Sequence, residues 1–202
     1  MLAGTLRFAP TRTSAWRRAV STLASNPQIK VFDNPSSPAS YILTYLDTKP
    51  PYSKLAIGTT TAVPPTPKSF RENHHFVEIL DQVVQEYGHL DEDIVSQARA
   101  FASPGGFNLG SGARSSRNTG PAEAALGSRA EVVVREDFGR IAWPEDILGS
   151  VEVDGSGNVV GKVQPSGTYR IVTNEGILGL SPFLTEKLVA RLKEEEGKER
   201  GS

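Results

Sequence analysis

Between Phe70 and Tyr87 the apolar side chains fall at Phe70, Phe76/Val77, Leu80, Val83/Val84 and Tyr87, close to the 3.6-residue period of a helix with one buried side. Ser69 and Glu72 just ahead of this stripe spell a capping box, and Gly88 suits a left-handed helix stop. Asp91 caps a second stripe through Ile94 and Ala98, and Pro104-Gly105-Gly106 ends it. Two stripes joined by so short a turn predict an αα-hairpin over residues 69–103. The period then changes. Glu131–Arg135, Ser150–Val153, Asn158–Val163 and Thr168–Thr173 read as strands, with turns at Asp154-Gly155-Ser156-Gly157 and Gln164-Pro165-Ser166-Gly167. Ser181-Pro182 opens a last helix bearing Phe183, Leu184, Leu188 and Leu192 on one side, its polar end dissolving at Lys193-Glu194-Glu195-Glu196-Gly197.

The remaining segments have weaker patterns. Residues 26–68 hold repeated Asn-Pro and Ser-Pro steps and read as an irregular Pro/Thr-rich segment with one strand, Tyr41–Leu46. Residues 104–130 are glycine-rich without an apolar period and read as a flexible linker. The expected fold is α+β: an N-terminal αα-hairpin with a short strand, a glycine-rich linker, and a small antiparallel β-meander over residues 131–202 packed by one C-terminal helix.

Charge changes this picture at the N-terminus. The chain has 202 residues, with 22 basic and 23 acidic side chains. The split is uneven, because Arg7, Arg12, Arg17, Arg18 and Lys30 precede the first carboxylate, Asp33. Residues 1–25 are rich in Arg, Ser, Thr and Ala and free of acid, the composition of a mitochondrial transit peptide. Arg17-Arg18 ahead of Ala19-Val20-Ser21-Thr22 suits cleavage in the low twenties. The expected location is mitochondrial, in the matrix. The acidic remainder argues against nucleic acid as a partner, and no run approaches the ~20 apolar residues of a membrane span. With no cysteine, the chain has no disulfide, thiolate zinc site or cysteine nucleophile.

Motifs that carry chemistry elsewhere lack their context here. Glu72-x-x-His75-x-x-Glu78 has the spacing of half a di-iron site, but no second Glu-x-x-His exists to face it. His89 falls in the turn after Gly88, where it is expected to interact with the end of the first helix. Asp137-Phe138-Gly139 has no kinase catalytic loop, and Gly105–Gly112 lacks the lysine of a phosphate loop. Asp154-x-Ser156-x-Asn158 opens like a calcium loop, but Val159 and Pro165 stand where glycine and a bidentate acid belong. No catalytic residue, cofactor or metal site is expected. The apolar turns Trp143–Gly149 and Gly176–Leu180 suit partner contacts, with Trp143, Ile147, Leu148, Ile177 and Leu178 as contact residues.

The segments DFGRIAWPEDILGSVEVDGSG and QPSGTYRIVTNEGILGLSPFL, together with Ala56-Ile57-Gly58 and Pro64–Asn73, resemble a family of uncharacterised mitochondrial proteins of filamentous fungi. The resemblance implies a mitochondrial location and carries over no functional residue. The expected role is a non-catalytic accessory subunit or assembly factor of a larger matrix or inner-membrane-associated complex. The rivals are a small mitochondrial enzyme using His75, Glu78 and Asp146, and a ribosome- or RNA-associated protein using Arg114, Arg117 and Arg129.

Overall fold

A computed structural model describes residues 21–102, 130–134, 143–154 and 156–201. The basic leader up to residue 20, the glycine-rich stretch up to Arg129, and Asp137-Phe138-Gly139 lie outside the described residues, as do Arg114 and Arg117.

The fold is α+β. Five strands form the first sheet: β1 (Ser21–Leu23), β2 (Asn26–Asp33), β3 (Tyr41–Thr44), β4 (Gly58–Thr60) and β5 (Phe70–Glu72). They pair antiparallel in chain order, a meander with no crossover. Two-residue alternation builds this sheet. Val31 pairs with Leu43 on the face that enters the main core, and the neighbouring Phe32–Ile42 pair lies on the opposite face beside Ala56. The segment 26–68 therefore carries three strands where one was expected. Pro27 is accommodated because it stands at the beginning of β2, where a missing N–H is tolerated. The strands β4 and β5 have three residues each, too few to show a period in sequence.

Helix α1 (His74–Tyr87) follows β5 directly. Its cap is Asn73, whose side chain accepts from His75 N at 3.2 Å. The expected Ser69–Glu72 capping box does not form, because Ser69 Oγ is engaged by Thr66 and Glu72 belongs to β5. Gly88 stands at φ −57°, inside the right-handed region, so it is not a left-handed stop. The requirement for glycine is spatial: a Cβ there would stand 2.6 Å from Val163 Cγ2. A short 3-10 turn (Gly88–Leu90) leads to α2 (Glu92–Ala102), which buries Ile94 and Ala98. The main neighbours of α1 are not α2 but β8 and the C-terminal helix.

A second antiparallel sheet contains β6 (Ala130–Val134), β7 (Gly149–Val153) and β8 (Val159–Pro165). The Asp154–Gly157 turn joins β7 to β8 as expected, with Asp154 N donating to Asn158 O at 2.9 Å. The fourth expected strand, Thr168–Thr173, is irregular, with one isolated bridge from Val172 to Ile177. Helix α3 (Pro182–Gly201) then closes the molecule, burying Leu184, Leu188 and Leu192. Its polar end stays helical, supported by Lys198–Glu195 and Arg200–Glu196 pairs at helical spacing. Both sheets and all three helices contribute to one core.

Residues 21–25 belong to the first hairpin, although the leader was expected to run through residue 25. Ser21 and Thr22 pair with Val31 and Lys30, and Leu23 is buried.

Candidate functional site

The turn around Trp143 is the candidate contact site, and its backbone is fixed by a distant segment. Trp143 O accepts from Asp146 N at 3.0 Å within a 3-10 turn (Pro144–Asp146). The strand-like stretch after β8 holds the rest. Thr168 Oγ1 donates to Pro144 O at 2.8 Å, Arg170 N to Glu145 O at 2.9 Å, and Ser166 N to Leu148 O at 3.2 Å. Ser166 Oγ adds a short bond to Ile147 O. Thus five of the six carbonyls from Trp143 to Leu148 are engaged.

Burial divides the expected contact residues. Leu148 and Leu178 are buried in the core, and Ile147 and Ile177 are half-buried. Trp143 is 63% exposed, the most exposed large apolar side chain among the described residues. The two leucines hold the turns down; the indole stands out from them. Leu178 O also accepts from Asn26 Nδ2 at 3.2 Å, tying the second turn to the start of β2.

The polar residues read as possible chemistry are separated. His75 lies at the exposed start of α1, with its Nδ1 3.6 Å from Glu78 Oε2, and both side chains are more than half exposed. Glu72 points elsewhere. Its Oε1 accepts from Ile171 N at 3.0 Å, and its Oε2 lies 3.6 Å from Arg170 Nη1. Asp146 sits in the Trp143 turn, with no bond to His75 among the described residues. His89 Nδ1 is buried without a hydrogen-bond partner. Among the described residues no group of three metal-binding side chains gathers.

Other polar side chains act as ties between elements, and what the sequence did not show is their long-range partners. Asn73 Nδ2 donates to Lys54 O and Ala56 O, each at 2.7 Å. The buried Asp91 carboxylate accepts from Asp93 N at 2.9 Å, capping α2, and from Ser181 Oγ, which itself accepts from Leu184 N at 3.0 Å and caps α3. One carboxylate thereby links two helix N-termini. At the other end of α3, Glu199 Oε2 accepts from Tyr52 OH at 2.6 Å and Lys54 Nζ at 3.0 Å. These bonds hold the Glu199 carboxyl below its ordinary range and push the Tyr52 and Lys54 groups up.

No family model, curated protein or solved structure matches the chain.

Proposed function

We propose that the protein is a non-catalytic mitochondrial accessory subunit or assembly factor, docking on a larger complex through Trp143. The observation that carries this reading is an exposed indole on a turn whose carbonyls are tied by hydrogen bonds to the segment after β8. An aromatic anchor held in one geometry loses little entropy on binding, and such residues dominate interface energetics. The polar side chains beside it support the same reading: Ser166 and Thr168 are committed to the turn's carbonyls, and the neighbouring Arg170 faces Glu72. The basic, acid-free leader supplies the mitochondrial part of the proposal.

Native gel migration of the tagged chain from mitochondria tests it. The expected result is a species well above the mass of the chain, shifted back toward the free monomer by Trp143→Ala, with the thermal midpoint of that variant unchanged to within about 1 °C because the side chain is solvated. Migration of the wild-type chain only as a monomer overturns the reading.

A further inference from the structure

The segment that holds the Trp143 turn is itself held from the other side, by the first sheet. We propose that Glu72, in β5, is the positioning residue of the Trp143 anchor and sets how tightly the indole docks without touching the partner. This inference rests on the docking reading above.

Two consecutive amides connect the site to the sheet. Arg170 N donates to Glu145 O at 2.9 Å in the Trp143 turn, and Ile171 N donates to Glu72 Oε1 at 3.0 Å. Ile171 is buried in the main core, and its carbonyl accepts from Leu178 N at 2.8 Å in the second apolar turn. The Glu72 carboxylate therefore grips the segment where its ties to the two apolar turns meet.

Glu72 is in turn placed by its neighbours. Its backbone registers with Gly58 of β4, a position where a Cβ would stand 2.3 Å from Arg71 O. The next residue, Asn73, caps α1 and binds the carbonyls of Lys54 and Ala56.

The acceptor oxygen, rather than the negative charge, does the positioning. Arg170 Nη1 lies 3.6 Å from Glu72 Oε2, but the Arg170 side chain is 66% exposed and that of Glu72 only 20%. Water screens the ion pair, whereas the part-buried Ile171 amide has little solvent to replace its acceptor. Without that oxygen the Ile171 amide turns toward water and draws Arg170 N away from Glu145 O. The turn then gains freedom that docking must remove again.

Amide exchange and Trp143 fluorescence test the coupling, in a Trp16→Phe background that leaves Trp143 as the one indole. In Glu72→Ala the Arg170 amide, whose bond goes to Glu145, is expected to exchange at least about tenfold faster, with a smaller change at Val83 in α1. The fast local part of the Trp143 anisotropy decay is expected to grow with it. Glu72→Gln keeps the acceptor without the charge and is expected to match the wild type in both readouts. Glu72→Asp keeps the charge but withdraws it by one methylene, so it is expected to loosen the turn and serves where Glu72→Ala does not fold. On the native gel, the high-mass species is expected to fall at least about threefold in Glu72→Ala and to persist in Glu72→Gln.

Unchanged Arg170 exchange and Trp143 motion in Glu72→Ala and Glu72→Asp overturn the proposal, as does Glu72→Gln behaving like Glu72→Ala. A high-mass species lost in Trp143→Ala but retained in Glu72→Ala overturns it too, and leaves the docking reading intact. A wild-type chain that migrates only as a monomer overturns both.

Discussion

Helix α3 is fastened at both ends by a carboxylate, and the two fastenings differ in nearly everything except their chemistry. At its N-terminus, Asp91 is 2% exposed and serves two helix caps at once. At its C-terminus, Glu199 meets Tyr52 and Lys54 in open solvent. A buried acceptor that loses its bonds leaves donors without water to replace it, whereas an exposed one is exchanged for solvent. The comparison teaches that the hydrogen-bond list alone does not rank these ties. Burial does.

The largest effect is therefore expected at Asp91. Replacing Asp91 with Ala removes the α2 cap and orphans Ser181, and is expected to cost about 2–4 kcal/mol in denaturant unfolding. Ser181→Ala keeps the α2 cap and is expected to cost about 1 kcal/mol. Equal losses for the two variants would show that the shared carboxylate is not the hub. Asp81 is a third carboxylate, on α1, and its carboxyl is raised by burial alone. A raised carboxyl favours the protonated form in the fold, so its ionisation weakens the fold above the ordinary carboxylate range, and the penalty vanishes as pH falls. Asp81→Asn is expected to raise the thermal midpoint by about 1–2 °C at pH 7 and to have no effect near pH 3.

The smallest effect belongs to Glu199. Its lowered carboxyl contributes above the ordinary glutamate value of about 4.3 and loses the contribution as pH falls through the depressed folded value. The raised Tyr52 and Lys54 groups contribute below about pH 10 and lose their contribution as pH rises through their folded values. Glu199→Ala is expected to lower the thermal midpoint by about 1 °C or less, with the difference shrinking in high salt. Amide exchange confined to the last turns of α3 is the sharper readout. A loss matching that of Asp91→Ala would erase the contrast between the two ends.

Legibility in the sequence followed distance along the chain. The caps at Asp91 and Ser181 and the Asp154 turn were readable because each is completed within four residues. The bond from Ile171 N to Glu72 spans 99 residues, and no local pattern announces it. The same remoteness misled the reading of Ser69-x-x-Glu72, whose spacing fits a cap while its carboxylate is engaged elsewhere. At the candidate site, Trp143 and Leu148 look equally apolar in sequence. Their opposite fates depend on the segment from Ser166 to Arg170, which pins the turn from about 20 residues downstream.

The bond from Asn26 to Leu178, with Tyr52 and Lys54 on Glu199, brings the last elements of the chain back onto the first. A ribosome delivers these partners last. The first sheet has only neighbour-to-neighbour pairings and can form early, but the side of α1 that packs against α3 stays uncovered until Leu184, Leu188 and Leu192 have been synthesised. A chain halted before α3 therefore exposes the apolar surface that the finished protein hides, and a premature stop there yields a client for chaperones rather than a shorter working protein.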